Sequence, residues 1–142
     1  MPAGTATTVT NTMTLPRKPE AVSAARRALS DLLPEDSALQ DTAPLLISEV
    51  VTNAVRYASG TRVKIAMATT DAGGMFTAVF DPDPSLRRGS RAKDSDDSME
   101  SGRGLNLLDM LADSWGVTTV GDEGKWVWFE LAQPAGETRP AA

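Results

Sequence analysis

The chain contains no cysteine and no histidine. The first absence excludes a disulfide framework and any thiolate-bound metal. The second removes the side chain most often used as a general base or zinc ligand. Acid–base chemistry must therefore rest on carboxylates, lysine, tyrosine or water. Basic charge is also scarce: 14 Lys and Arg stand against 19 Asp and Glu, a net charge of −5. Nucleic-acid binders present a basic excess or patch, so direct contact with nucleic acid is not expected. No apolar run approaches the roughly 20 residues that cross a membrane. The opening MPAGTATTVT has neither the charged nor the apolar region of a signal peptide. A cytoplasmic protein is the expectation. A length of 142 residues suits one domain with one core.

Hydrophobic spacing predicts the elements in order, with no internal repeat. Residues 1–7 are small and polar and are expected to be disordered. Val9, Met13 and Leu15 suggest a short edge strand, ended by Pro16 and Pro19. Val22, Ala25, Leu29, Leu32 and Leu33 recur at helical spacing, so a helix is predicted over Glu20 to Leu33, stopped by Pro34. A second helix is predicted from Ser37 to Ala58, with Ser37 or Asp41 as cap and Pro44 near its first turn. Arg62 to Thr69 and Met75 to Asp81 read as strands, and Asp71-Ala72-Gly73-Gly74 between them reads as a hairpin. From Asp81 to Gly102 all periodicity stops, which points to a functional loop. Leu105, Leu107, Leu108, Leu111 and Ala112 make a short helix. Val117 to Val120 and Lys125 to Leu131 close the domain as a hairpin across Gly121-Asp122-Glu123-Gly124. The tail 133–142 is expected to be disordered. Hairpin-joined strands with helices to cover one face give an α+β, two-layer sandwich.

Four groups of residues have chemical potential. Glu49, Thr52, Asn53 and Arg56 share one face of the second helix at spacings of three and four. A carboxylate there can orient or deprotonate a hydroxyl or water, and an amide oxygen can bind Mg²⁺, a hard cation that prefers oxygen. The same residues also suit an ordinary solvated helix face. Gly102-Arg103-Gly104-Leu105 leads into a helix whose N-terminal N–H groups suit phosphate, or is simply a loop ending in a helix start. Asp81, at a strand end, can accept from an exocyclic amine such as that of adenine, or can serve as a turn residue in Asp-Pro-Asp-Pro. Arg87, Arg88, Arg91 and Lys93, followed by Asp94, Asp96, Asp97 and Glu100, suit a lid over phosphate or a solvated run.

Taken in order, these pieces resemble the GHKL superfamily, which includes gyrase, the histidine kinases and the anti-sigma-factor kinases. Leu46 to Ala58 (LISEVVTNAVRYA) is similar to its N box, Val79-Phe80-Asp81 to its G1 box, and Ser101-Gly102-Arg103-Gly104-Leu105 to its G2 box. Ala112-Asp113-Ser114-Trp115-Gly116 and Gly124 to Leu131 (GKWVWFEL) look like the closing segments of short actinomycete members of the anti-sigma-factor serine/threonine kinase family. The resemblance spans roughly residues 10–132. It implies a Bergerat-type ATP-binding domain over 8–132, with a mixed, mostly antiparallel sheet covered on one face by about three helices and an ATP lid at about 82–101. By the same resemblance, Glu49 is the general base or water-orienting carboxylate and Asn53 holds Mg²⁺. Asp81 reads the adenine amine, and Gly102, Arg103, Gly104 and Leu105 form the segment that wraps the phosphates.

The cofactors so implied are ATP and Mg²⁺. The implied partners are a sigma factor and an anti-sigma antagonist that is phosphorylated on serine or threonine, and a homodimer is possible. Three places depart from the family pattern. Asp83 stands where a glycine is usual, Glu100 where some kinases have arginine, and Trp126 at the place assigned to a small hydroxyl residue beside adenine. These departures motivate an alternative: a binding module of the same fold that has lost tight ATP binding and acts by sequestering a protein partner.

Overall fold

The computed structural model describes residues 7–83 and 107–133. The expectations for 1–6, for the greater part of the lid, for Gly102 to Leu105 and for the tail from 134 lie outside these residues. The elements run β1 (Thr7–Pro16), α1 (Glu20–Leu32), α2 (Thr42–Tyr57), β2 (Arg62–Thr70), β3 (Met75–Asp81), β4 (Ser114–Val120) and β5 (Gly124–Leu131). A short helix, α3, occupies residues 107–111 between β3 and β4. The strands form one sheet in the order β1-β2-β3-β5-β4. Every pairing is antiparallel, so the mixed sheet implied by the resemblance is replaced by a uniform one. The reason is topological. Hairpins join β2 to β3 and β4 to β5, while β3 and β4 run in the same direction with β5 inserted between them, so the chain crosses over without setting two parallel strands side by side. As expected, β1 is an edge strand.

Alternation decides which side chains enter the core. Val63, Ile65 and Met67 on β2, Met75 and Val79 on β3, and Phe129 and Leu131 on β5 are buried on the face that meets the helices. Met13 and Leu15 of β1 pack against the same core. Helix α1 contributes Ala21, Ala25 and Leu29, and α2 contributes Ala43, Leu46, Ile47, Val50, Val51 and Ala54. These are stripes at spacings of three and four. Both helices cover the same face, with α2 over β3 and β2 and α1 over β1 and β2. Among the described residues no helix is long and apolar enough to cross a membrane.

Helix α2 begins at Thr42, five residues after Ser37. Ser37 instead accepts a hydrogen bond from the Leu39 N–H at 3.0 Å, a local turn that competes with helix. Gln40 ties that turn to α1 by donating to the Ser30 and Pro34 carbonyls, each at 3.0 Å. Asp41 precedes the helix without making a side-chain cap. At the far end, the Arg17 guanidinium donates to the Val55 and Gly60 carbonyls, both at 2.6 Å. It thereby satisfies acceptors that a helix C-terminus leaves open. The closing Asp-Ser-Trp-Gly run is structural in the same sense. Asp113 accepts from the Ala132 N–H at 2.6 Å, Ser114 donates to Glu130 at 2.7 Å, and the Trp115 indole donates to Asp109 at 2.7 Å.

Among the described residues, one buried polar side chain has no partner. Thr77 is fully buried between Met67 and Phe129, and its hydroxyl makes no hydrogen bond. An unpaired buried hydroxyl costs stability, and its removal without change of shape recovers some of it. Thr77→Val is therefore expected to stabilise the domain by about 1 kcal/mol, read as a rise of a few degrees in the thermal midpoint.

Candidate functional site

The site is assembled where α2, β3 and β5 end near one another. Glu49 and Asn53 stand one helical turn apart on α2, both half-buried, beside the buried Val50 and Ala54. Neither makes a hydrogen bond or ion pair with another described residue. After α2 the chain turns extended at Ala58, and the Ser59 N–H reaches the Asp81 carboxylate at 3.2 Å. That bond fixes the end of the helix to the end of β3.

Asp81 occupies the last position of β3, and its carboxylate is heavily used. Oδ1 accepts from Ser59 and also from the Asp83 N–H at 2.9 Å, closing a turn over Pro82. Oδ2 accepts from Lys125 Nζ at 2.9 Å. The two side chains are only 7% and 12% exposed, so this is a buried ion pair. Lys125 also donates to the Asp83 carbonyl at 2.6 Å. The strand register sets Asp81 directly opposite Lys125.

Gly124, next to Lys125, has φ +152°. A Cβ there would strike the Asp81 carbonyl oxygen and come within 2.8 Å of Pro82 Cα. The strand crossing therefore depends on the absence of a side chain at this position.

The register also corrects the reading of the closing strand. By the resemblance, Trp126 falls at the place of a small hydroxyl residue beside adenine. Strand side chains alternate, so Trp126 lies on the opposite face of the sheet, its ring 5.0 Å from that of Phe80. The residue beside Asp81 is Lys125. The sequence did carry a signal for it: Lys125 is in phase with Val127, Phe129 and Leu131, which marks a lysine pointing inward. A cavity of about 430 Å³ lies on Trp126's side of the sheet, lined by Ala66, Phe76, Ala78, Thr118, Trp126 and Trp128. It is separated by the sheet from Glu49, Asn53 and Asp81 and plays no part in their arrangement.

Residues 15–131 match a family described as the histidine kinase-like ATPase domain. The chain belongs to that family. A search among curated proteins found no match. Membership supports the GHKL fold that the N-box residues pointed to, and in that fold Glu49 and Asn53 lie on the helix expected to bear them. Arg26 on α1 donates to Ser48 at 3.3 Å, beside Glu49, so the first helix is linked to the N-box helix. The described residues contain no cluster of three or more acidic side chains for a metal cage. Mg²⁺ binds through one or two protein oxygens and keeps its other positions for water and phosphate. An Asn53 oxygen with no partner among the described residues fits this mode.

Removing the carboxylate of Asp81 strands a buried ammonium and two backbone N–H groups. Asp81→Ala is expected to lose about 3–5 kcal/mol, the range for breaking a buried pair from one side. Asp81→Asn keeps an oxygen for Ser59 and Asp83 and is expected to lose clearly less. Urea unfolding of the two variants measures the difference.

Proposed function

We propose that this histidine kinase-like ATPase domain is an ATP-binding regulatory protein of the anti-sigma-factor kinase type. In this reading it phosphorylates a serine or threonine on an antagonist protein and sequesters a sigma factor. The observation that carries it is the pair Glu49 and Asn53, side by side on α2, half-buried and without protein partners among the described residues. Polar side chains kept partly out of water without partners are costly unless a ligand uses them.

Bound Mg-ATP would supply the transferable phosphoryl group together with the cation that neutralises its charge. Asn53 offers an amide oxygen to that cation. Glu49 would orient the acceptor hydroxyl and take its proton, and the nucleotide would supply the phosphoryl group and leave as the diphosphate. Most of the catalysis in such a transfer is positioning and charge stabilisation, which a side-chain pair on a rigid, packed helix is suited to give. Gly102, Arg103, Gly104 and Leu105 are assigned to the phosphates through the G2 resemblance. Contact with sigma factor or antagonist, and any homodimer, rest on the resemblance alone.

The alternative is a module that keeps the fold but binds ATP weakly and acts by holding a protein partner. The Asp81–Lys125 pair favours it, because the carboxylate assigned to adenine is already engaged inside the protein. Titration calorimetry separates the two readings. A micromolar dissociation constant for Mg-ATP supports the first, and no binding at millimolar nucleotide supports the second. Under the kinase reading, Asn53→Ala weakens Mg-ATP binding by about tenfold or more, in line with loss of a charge-assisted contact. Glu49→Ala lowers transfer of labelled phosphate to the antagonist by about 10²–10⁴-fold, with nucleotide affinity little changed. Equal transfer by this variant would remove Glu49 from the mechanism.

A further inference from the structure

The Asp81 carboxylate meets the donors of its own protein before it meets any base. A carboxylate offers about four acceptor positions. Ser59 and Asp83 take two on Oδ1, and Lys125 takes one on Oδ2. The remaining position lies beside an ammonium group. An exocyclic amine brought there would place its own partly positive hydrogen against a full positive charge, in a place too buried for water to screen well. The ammonium is itself held, since it donates at 2.6 Å to the Asp83 carbonyl. Its stem rises from a strand position that alternation forces inward, in phase with Val127, Phe129 and Leu131. The close backbone crossing at Gly124 holds β5 against the Asp81–Pro82 segment. Lysine at this position is thus built into the end of the sheet.

We propose that Lys125 withdraws Asp81 from base recognition, so that the site holds a nucleoside triphosphate chiefly by its phosphate end and discriminates poorly between bases. This deepens the ATP-binding reading and rests on it. Lys125 is a positioning residue: it acts through Asp81 and need not touch the nucleotide. A site that hydrogen-bonds a substrate group strongly rejects an analogue lacking it, whereas a site with that acceptor already satisfied has little means of doing so.

The test is calorimetric titration of the full chain with Mg-ATP and with Mg-ITP, in which a carbonyl oxygen replaces the exocyclic amine. The unmodified protein is expected to bind the two within fivefold of each other. Lys125→Thr removes the ammonium and most of the stem, and is expected to bind Mg-ATP at least fivefold tighter and to prefer it over Mg-ITP by more than fivefold. Lys125→Arg keeps the cation and should keep the unmodified ratio. A merely structural lysine would change stability without changing the ratio between nucleotides. Should Lys125→Thr fail to fold, the comparison in the unmodified protein still decides. A preference for ATP above fivefold in that protein overturns the proposal and leaves the nucleotide reading intact. Binding by Lys125→Thr alone also overturns the proposal, because the unmodified site would then not hold the nucleotide by its phosphate end. Absence of binding of either nucleotide to any folded form ends the nucleotide reading, and the proposal with it.

Discussion

A sheet covered on one side only has a strict consequence: each strand must send every second side chain inward, and a shift of one residue would turn the whole strand inside out. The other features of this domain depend on that constraint. It places Val63, Ile65 and Met67 under the helices and fixes Phe129 and Leu131 opposite them. It also decides the fate of the charged residues at the strand ends. Asp81 and Lys125 are directly opposed in register and both fall on the inward side, where neither would remain without the other. Burying a lone charge is expensive and burying a matched, hydrogen-bonded pair is tolerable. The local chemistry of the site thus follows from the architecture of the sheet.

The architecture was largely legible in the sequence, because it is written in periods of two and of three to four. Both long helices, the two hairpins and all five strands follow from apolar spacing and turn residues, and the strand Met75–Asp81 has the bounds that the sequence predicts. The start of α2 was not, since Ser37 and Gln40 engage in side-chain bonds that a spacing rule does not see. The strand directions were only partly legible, because a resemblance names a sheet without fixing each of its pairings.

Within the site, Glu49 and Asn53 could be read from their spacing, which any helix converts into a shared face. Asp81 is legible as a strand-end carboxylate, and its partner Lys125 is not. Motif matching puts Trp126 beside adenine, whereas counting alternate positions back from Leu131 puts Lys125 on the inward face. Pairing across a sheet joins residues 44 apart in the chain, and no local pattern reports such a contact. The lesson is specific: on a half-buried strand, a lysine in the apolar phase calls for a carboxylate on the neighbouring strand.

The aromatic residues show a further consequence of the fold. All three tryptophans of the chain, Trp115, Trp126 and Trp128, belong to the β4–β5 hairpin, two on one side of the sheet and one on the other. The intrinsic ultraviolet emission of this protein is therefore the emission of one supersecondary unit. It tracks the docking of that hairpin closely and leaves the far edge of the sheet, with β1 and α1, almost dark.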